Sequence, residues 1–383
     1  MIIVLLKIMF NFILTMVCFL VPKSRKYVIV GGWEGKRYAD NSRGMYEYLC
    51  AHKNQLGINR VFWHTKEKEI YNKLKKEKKD VLFGYDFYSI YWHLRSKVHI
   101  IDQNPRDIIG ILSVRCIRIN LWHGFPLKKI GNYRVMEKRK SCWYKKYASA
   151  GFWQDSYLLS TSEFTKDILS YAMGIKKEKC LVASYPRTEK LYYCKPIVKD
   201  RDQIFYIFYL PTFRDTNSIN PILAADLVSI DKKFQELNIM FYIKPHFASM
   251  AQWKAAGKFT NIKILEAKED VYNWLDKTDL LITDYSSVFF DFLLTGRAIL
   301  FYPYDYENYK KKERGFTIPY NNFTPGKKVY TVEGLMQYIL QIRENYEGYQ
   351  QIYRQQYIWV NNKVNQYKKK ADYSDILKFW QKC

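Results

Sequence analysis

Acidic residues are scarce in this sequence, and so are the cysteine and histidine spacings that are typical of metal sites. The 383 residues include 62 Lys and Arg but only 37 Asp and Glu, which gives a formal net charge of +25. The seven cysteines include no CxxC pair, and the six histidines form no HExxH motif. We therefore predict reduced thiols in a cytosolic compartment and no metal site, while a requirement for a divalent cation stays open.

Fingerprints of dinucleotide and nucleic-acid binding are missing as well. The run from Gly31 to Gly35 (GGWEG) does not fit GxGxxG, so a dinucleotide cofactor is unsupported. The surplus of cations indicates an anionic partner: nucleic acid, an anionic membrane surface or a phosphorylated substrate. Because the basic residues are spread along the chain without a known nucleic-acid motif, we predict no nucleic-acid partner. The single DxD, Asp200 to Asp202, lies in a presumed linker and is weak evidence for a metal.

The first 21 residues are almost entirely apolar. Only Lys7, Asn11 and Thr15 are polar in MIIVLLKIMFNFILTMVCFLV, and this length is close to the ~20 residues of a membrane-spanning helix. The basic stretch VPKSRK follows where a cleaved signal would have small residues, and it predicts a cytoplasmic downstream flank. We predict a membrane-anchoring segment over residues 1–22 that either spans the membrane or lies in its plane. A helix buried in the protein's own core is the alternative.

Short apolar runs alternate with helical stretches in two series behind this segment. The first series has strands in YVIVGG, NRVFWHT, VHIID, IRINLWHG and KCLVASYPR, and the second in IFYIFYLPTFRD, IMFYIKPHF, NIKILEA, DLLITDYSS and AILFYPYD. Strands that alternate with helices predict βαβ units and parallel sheets. The expected fold is α/β, with two doubly wound Rossmann-type domains that face a cleft. The predicted bounds are 23–197, 198–365 and a helical tail over 366–383.

Polar residues follow four of the predicted strands. Ligands of doubly wound sheets bind beyond the carboxyl ends of the strands. The residues at these ends are His123 with Gly124, Thr212 with Arg214, Lys244 with His246, and Thr283, Asp284, Ser286 and Ser287. The last group stands where a strand passes into a helix, and Gly296 is the predicted end of that helix. The start of a helix suits a phosphate, because it exposes unpaired N–H groups and a partial positive charge.

Each of these positions also has a structural interpretation. One of the residues from Thr283 to Ser287 could simply cap the helix. His123 could be a buried structural histidine, and His246 a turn residue. Arg214 could form a surface ion pair with Asp215, and the stretch around Arg314 and Gly315 could be an exposed loop.

The motifs WHG, PTFRD, KPH, TDYSSVFFDF and LFYPYDYENY…RGF resemble, in this order, the CDP-glycerol glycerophosphotransferase family. Its members are the primases and polymerases of teichoic acids and related capsule polymers. The resemblance runs from about Asn41 to about Val329. It implies a GT-B-like pair of Rossmann-type domains and peripheral attachment to the inner face of a bacterial membrane.

The resemblance also implies roles for individual residues. His123 and His246 match the family's essential histidines, and Asp284 matches its acidic strand-end position. The positions thought to hold the donor's pyrophosphate are Thr212, Arg214, Ser286, Ser287 and Arg314. We add Lys244, Thr283 and Gly315 to the donor-binding set and keep Gly124 and Arg187 as further candidates.

Two stretches depart from the family pattern. Where the family reads GxPRxDxL, this chain has SYPRTEKL from Ser184 to Leu191, so Arg187 is retained but the glycine and aspartate are replaced. TIPYNNFTPG follows RGF where the family tends to be acidic. CDP-ribitol or another activated alditol therefore stays open as the donor beside CDP-glycerol.

The expected protein is a membrane-associated transferase at the cytoplasmic face of a bacterial membrane. It moves glycerol phosphate, or another polyol phosphate, from a CDP-activated donor to a hydroxyl of a lipid-linked or polyol-phosphate acceptor and releases CMP. It needs no tightly bound cofactor. His123 is assigned as the base, and His246 beside Lys244 as the group that stabilises the transferring phosphate or the departing CMP, although these roles could be exchanged.

Two other functions and several details stay open at this point. The first alternative is a GT-B glycosyltransferase that uses a nucleotide sugar. The second is a non-catalytic basic protein that binds anionic polymer or membrane. The identity of the polyol and of the acceptor, and the choice between single addition and polymerisation, are not decided by the sequence.

Overall fold

The chain folds into two units, each built around one parallel sheet. The computed structural model describes residues 2–133, 155–194, 202–214, 219–246, 249–266, 268–312, 315–367 and 373. The first unit comprises Met1–His123, Val135–Glu189 and Lys369–Cys383, and the second comprises Gly124–Arg134 and Lys190–Lys368. The segment Gly124–Arg134, which the sequence placed in the first domain, thus groups with the second unit. The prediction of an α/β fold with parallel sheets is confirmed.

The sheet of the first unit has seven parallel strands in the order β3-β2-β1-β4-β5-β6-β7. These strands are β1 (Ser24–Val30), β2 (Arg60–Thr65), β3 (Val81–Phe83), β4 (Ser96–Ile101), β5 (Ile117–Asn120), β6 (Tyr157–Ser160) and β7 (Cys180–Val182). The helices of this unit are α1 (Ile2–Leu20), α2 (Asp40–His52), α3 (Lys68–Lys76), α4 (Phe87–Arg95) and α5 (Glu163–Met173). Strand β3 was not predicted, because three residues give too short an apolar pattern.

Both faces of the first sheet are covered, as the continuous apolar runs of its strands require. In β1, Val28 and Val30 pack into one core cluster while Ile29 packs into another on the opposite face. This alternation follows from the period of two along a strand. Local signals set the helix ends: Asp86 accepts a hydrogen bond from the Ser89 N–H at the start of α4, and Gly174 ends α5 in the left-handed conformation.

The sheet of the second unit has five parallel strands in the order β10-β9-β8-β11-β12. These are β8 (Phe205–Leu210), β9 (Ile239–Ile243), β10 (Ile262–Ile264), β11 (Leu280–Thr283) and β12 (Ala298–Phe301). Its helices are α6 (Leu227–Glu236), α7 (Met250–Lys254), α8 (Val288–Phe292), α9 (Tyr306–Lys312), α10 (Tyr320–Phe323), α11 (Val332–Glu344) and α12 (Tyr346–Val364). The stretch DVYNWLDK, predicted as a helix, instead forms two short 3-10 turns, Val271–Asn273 and Leu275–Lys277.

The strand order reverses once in each sheet. The first sheet grows in one direction from β1 through β2 and β3 and in the other from β4 onward, so its switch point lies between β1 and β4. In the second sheet the switch point lies between β8 and β11. Since connections leave such a point in opposite directions, a crevice opens there at the carboxyl ends of the strands. We therefore expect the functional residues of each unit at these two places.

The N-terminal segment forms helix α1, which packs on the first unit. Cys18 of α1 lies in a cluster with Ile109, Leu112 and Val114, and the half-buried Leu14 joins that cluster. None of the helices in the described part of the chain has both the length and the apolar character that crossing a bilayer requires.

Candidate functional site

The switch point of the first unit is lined by buried carboxylates. Asp102 follows β4 and accepts hydrogen bonds from the Trp33 N–H at 3.2 Å and the Ser42 hydroxyl at 2.7 Å. Asp107 accepts from several backbone N–H groups, including that of Glu34 at 2.7 Å. Burial raises the pKa of both carboxyls, and Asp40 and Asp107 raise the pKa of Asp102 further.

Glycines after β1 allow the backbone to approach these acids. A Cβ at Gly31 would collide with the Asp107 carbonyl oxygen, and one at Gly32 would collide with the Ser42 hydroxyl and the Asp102 carboxylate. GGWEG is therefore a close-packing sequence that faces carboxylates.

His123 lies three residues beyond β5, in the same unit. Its Nδ1 is 3.2 Å from the Asp102 carbonyl oxygen. Because a carbonyl only accepts, this contact places the proton on Nδ1 and leaves the lone pair on Nε2. Nε2 makes no hydrogen bond to any residue that the structure describes. Burial lowers the pKa of the imidazole, although Asp40 and the Asp102 carbonyl oppose the shift, so the ring is neutral near pH 7.

Two further hydrogen bonds lie near His123, one to the backbone of Trp122 and one between Arg187 and Asp40. The Asn41 side-chain amide donates to the Trp122 carbonyl oxygen at 2.7 Å. The Arg187 guanidinium donates to the Asp40 carboxylate at 2.7 Å, and both side chains are almost fully buried. Arg187 thus has a carboxylate partner at the start of α2, in the same unit as His123.

The switch point of the second unit is organised around Arg214. The Arg214 guanidinium donates to Asp284 at 2.8 Å and to the two carboxylate oxygens of Asp305 at 2.6 and 2.9 Å. Arg214 is 3 % exposed and Asp284 is fully buried. Burial alone would lower the pKa of the guanidinium, but the two carboxylates outweigh it and raise that pKa. The interpretation of Arg214 as a surface residue is therefore wrong.

Tyrosine rings surround this ion pair. The guanidinium carbon of Arg214 lies 4.9, 5.0 and 5.1 Å from the ring centroids of Tyr285, Tyr304 and Tyr309. The Tyr285 hydroxyl donates to Asp305 at 2.9 Å. These cation–π contacts and hydrogen bonds hold the guanidinium in one orientation.

Hydroxyl groups at the same strand ends have few partners. Thr283 donates to the Leu210 carbonyl oxygen at 2.9 Å, which joins β11 to β8. The Thr212 N–H donates to Asp284 at 3.0 Å, whereas the Thr212 hydroxyl is buried and makes no hydrogen bond to the described residues. Ser286 and Ser287 are half-buried. The half-buried Ser286 and Ser287, unlike the buried hydroxyls of Thr212 and Thr283, can therefore be reached by a ligand.

The helix after these serines is short. Helix α8 begins at Val288, continues as a 3-10 turn over Leu293–Thr295 and ends at Gly296 with φ 67°, so the predicted glycine stop is confirmed. Ser287 is the N-cap residue but makes no side-chain capping hydrogen bond. The Ser286 hydroxyl is 3.5 Å from the Val288 N–H, at the outer limit of a hydrogen bond. Capping therefore accounts poorly for the two serines.

Lys244 and His246 follow β9 in this unit. The Lys244 N–H continues the sheet with a hydrogen bond to the Tyr209 carbonyl oxygen. The His246 ring is exposed and stacks on Phe213 with 5.0 Å between the ring centroids. Phe213 stands between Thr212 and Arg214, so this stacking brings the ends of β8 and β9 together.

The segment that follows His123 packs inside the second unit. Phe125 contacts Phe290 of α8, and the Lys129 N–H donates to the Gly315 carbonyl oxygen at 3.2 Å. Gly124 has a φ of 129°, which favours glycine at the point where the chain enters this unit. Arg314 lies outside the described residues.

A family model for CDP-glycerol:poly(glycerophosphate) glycerophosphotransferases matches residues 13–379. The chain belongs to this family. A teichoic acid glycerol-phosphate transferase of Staphylococcus aureus (strain NCTC 8325 / PS 47) is 27% identical over 350 residues, covering 85% of this chain and 86% of the relative. A teichoic acid glycerol-phosphate primase of Bacillus subtilis (strain 168) is 31% identical over 271 residues, or 65% of this chain and 66% of the relative.

The fold has a counterpart among solved structures. The wall teichoic acid polymerase TagF superposes with a TM-score of 0.71 and 20% identity, and the match covers 94% of this chain and 89% of that one. At this identity the likeness concerns the fold alone. The glycerophosphotransferase family that the motifs resemble is thus the family to which the chain belongs.

The predicted glycerophosphotransferase residues fall into two groups. His123 and Arg187 lie in the first unit, and the second unit contains Thr212, Arg214, Lys244, His246, Thr283, Asp284, Ser286, Ser287, Gly124 and Gly315. Sequence reasoning missed Asp102, Asp107 and Asp305. The strand-end rule applied to VHIID and AILFYPYD would have found Asp102 and Asp305. In the described part of the chain, no group of three or more His, Cys, Asp and Glu residues is arranged to hold a metal ion.

Proposed function

We propose that this protein transfers a polyol phosphate, glycerol phosphate first among the candidates, from a CDP-activated donor to an acceptor hydroxyl in teichoic acid synthesis. Family membership supports the reaction class, and the names of its relatives support the donor and the pathway. An oxygen of the acceptor forms a new bond to the phosphorus of the polyol phosphate. The bond from that phosphorus to the oxygen of CMP breaks, and CMP leaves.

His123 is the base in this proposal. Its Nδ1–H is held by the Asp102 carbonyl, so the Nε2 lone pair accepts the proton of the attacking hydroxyl. A pKa below the ordinary histidine value keeps the ring neutral and ready before the reaction. The imidazolium that forms is stabilised by the charge of Asp40 and by the dipole of the Asp102 carbonyl group. The observation that carries the proposal is the geometry of this imidazole: Nδ1 contacts the Asp102 carbonyl oxygen, and Nε2 has no hydrogen bond to the described residues.

The second unit holds the donor phosphates. Ser286 and Ser287 supply hydrogen-bond donors, and Lys244 supplies a positive charge. Thr212, whose hydroxyl is buried, contributes by holding Asp284 through its N–H. The sequence predicted that Arg214 binds the pyrophosphate, but in this proposal it has a positioning role. Because two carboxylates already occupy its guanidinium, it positions Asp284 and the β8 and β11 ends instead of binding phosphate.

The acceptor and the location complete the proposal. A lipid-linked or polyol-phosphate acceptor places the enzyme at the cytoplasmic face of a bacterial membrane, peripheral or attached through residues 1–22. The apolar character of helix α1 and the net charge of +25 support this placement.

The test is a donor panel with the purified full-length chain. CDP-glycerol, CDP-ribitol and a set of UDP-sugars are each incubated with a water-soluble glycerol-phosphate oligomer, and nucleotide products and acceptor masses are measured. We expect CMP and an acceptor heavier by one or more polyol phosphates. Release of UDP with an added sugar would identify a glycosyltransferase. No turnover of any donor, in a protein that binds the acceptor, would contradict enzymatic function.

A further inference from the structure

The segment 125–129 lies against two parts of the predicted donor site in the second unit. Phe125 packs on Phe290 of α8, the helix that follows the two serines, with 4.4 Å between the ring centroids. Lys128 forms an antiparallel bridge with Phe316, which stands directly after the predicted glycine of the RGF motif. Both contacts lie within the second unit. The segment is therefore a candidate source of donor-binding residues that the sequence did not assign.

The charged cluster at this switch point has a surplus of negative charge. The Arg214 guanidinium is shared between the carboxylates of Asp284 and Asp305, so the three groups have a formal charge of −1. The phosphates of a CDP-activated donor are anions, and charges of one sign repel each other strongly where protein excludes water. A donor that binds here therefore needs cations that lie outside this cluster.

The side chain of Lys129 runs along Gly315. The Lys129 N–H donates to the Gly315 carbonyl oxygen at 3.2 Å. Cδ, Cε and Nζ of the lysine lie 3.6, 3.7 and 3.9 Å from the point that a Cβ of residue 315 would occupy. Gly315 has a φ of 61°, which favours glycine, and the missing side chain leaves this space beside the lysine open. The ammonium of Lys129 is thus placed at the loop in which the sequence predicted donor-binding residues.

The two adjacent lysines differ in their surroundings. The Lys128 ammonium lies 5.8 Å from the centroid of the Tyr309 ring, and that ring lies 5.1 Å from the guanidinium carbon of Arg214. Lys128 therefore packs with the Arg214 cluster. Lys129 is half-buried, and its ammonium makes no hydrogen bond, ion pair or ring contact with the residues that the structure describes. An ammonium has three hydrogen-bond donors, so those of Lys129 can serve a ligand.

We infer that Lys129 is a donor-binding residue whose ammonium binds a phosphate group of the CDP-activated donor. Together with Lys244, it supplies the positive charge that the sequence assigned to Arg214. Hydrogen bonds between an ammonium and phosphate oxygens are charge-assisted and therefore strong. The inference rests on the proposed function for the identity of the donor. The position of Lys129 beside Gly315 requires only that the ligand carry an anionic phosphate group.

The experiment measures the binding of CDP-glycerol and of inorganic pyrophosphate to the full chain by calorimetry. Lys129→Met removes the ammonium and keeps an unbranched apolar side chain, whereas Lys129→Arg keeps a positive charge. Lys258→Met is the matched control, because Lys258 is an exposed lysine of the same unit and its removal changes the net charge by the same amount. Thermal unfolding verifies that each variant is folded.

We expect Lys129→Met to bind both ligands at least tenfold more weakly than the wild type, Lys129→Arg to lose less affinity, and Lys258→Met to stay within twofold. The melting temperature of Lys129→Met should stay close to that of the wild type. Wild-type affinity in Lys129→Met would overturn the inference. Equal losses in Lys129→Met and Lys129→Arg, or a loss of affinity with a large fall in melting temperature, would also overturn it, because either result would assign the side chain to packing along Gly315.

A parallel readout keeps this inference apart from the proposed function. Release of CMP from CDP-glycerol by the wild type tests the proposed function, whereas the binding of inorganic pyrophosphate does not depend on the identity of the donor. If the wild type releases no CMP, the proposed function is contradicted, and the pyrophosphate affinities of the wild type and Lys129→Met still decide the role of Lys129. A wild type that binds neither ligand would contradict both.

Discussion

The two units place different chemistry at the same topological position. Where the strand order reverses, the first unit has carboxylates held by backbone N–H groups and a neutral imidazole, and the second has one guanidinium between two carboxylates. In the first arrangement, the Nε2 lone pair of His123 receives no hydrogen bond from the part of the chain that the structure describes. In the second, the charged groups pair with one another, and the half-buried Ser286 and Ser287 are the hydroxyl residues that a ligand can reach. In the reaction that we propose, the first switch point serves proton transfer and the second serves donor binding.

Removal of His123 should give the largest effect of all, a loss of turnover that tests proton transfer in the first unit. General acid–base catalysis contributes roughly 10² to 10⁴-fold, so His123→Ala should lower the turnover of CDP-glycerol by that order, with little change in donor affinity. His52→Ala is the control, because His52 also lies in the first unit with Nδ1 on a carbonyl oxygen, that of Tyr48 at 2.8 Å. If His123→Ala keeps more than about a third of wild-type turnover, a barrier change below ~1 kcal/mol, His123 is not the base.

Removal of Arg214 should give the next largest effect, a loss of stability in the second unit. Arg214→Met leaves Asp284 and Asp305 without their cation, and breaking a buried ion pair in this way costs about 3–5 kcal/mol. The control is Arg43→Met, which breaks an exposed pair with Glu47 and should cost less than about 1 kcal/mol. Urea unfolding measures both. A loss of donor affinity without a loss of stability would show that Arg214 binds phosphate directly, as the sequence predicted.

Sequence reasoning found the strands and the residues at their ends, because both depend on local patterns. It did not find the partner of Arg214, because Asp305 is 91 residues away and the pairing depends on the order of strands in the sheet. It likewise placed Gly124–Arg134 with the first series of strands, whereas the contact between Phe125 and Phe290 places the segment in the second unit. The inward position of Asn11 and Thr15 also required the packing of α1 to be known.

Removal of the two serine hydroxyls should give the next smaller effect, and it tests donor binding in the second unit. Each hydrogen bond from Ser286 or Ser287 to a charged phosphate should contribute about 1.5–3 kcal/mol. Calorimetry of Ser286→Ala with Ser287→Ala should therefore show CDP-glycerol affinity reduced at least tenfold. Stability should change little, because Ser287 makes no capping hydrogen bond. Unchanged affinity together with a large fall in melting temperature would favour the capping interpretation.

The smallest single effect, about 1.4 kcal/mol per pH unit in the free energy of unfolding, should come from the protonation of one buried histidine in the first unit. Burial lowers the pKa of His64 to about 4 and also lowers the pKa values of His93 and His99, all in the first unit. A histidine with a depressed folded-state pKa contributes stability that is complete above about pH 6.5 and is lost as the pH falls toward the folded-state value.

The loss should be about 1.4 kcal/mol per pH unit for each such histidine below pH 6.5. The raised pKa of Asp102 acts in the opposite direction, since protonation of that carboxyl stabilises the fold as the pH falls. His64→Asn should therefore flatten the decline of the free energy of unfolding, measured with urea between pH 7 and pH 5. His246→Asn, at an exposed ring in the second unit, is the control that should keep the wild-type slope. Equal slopes for His64→Asn and the wild type would show that this buried ring does not set the acid sensitivity of the first unit.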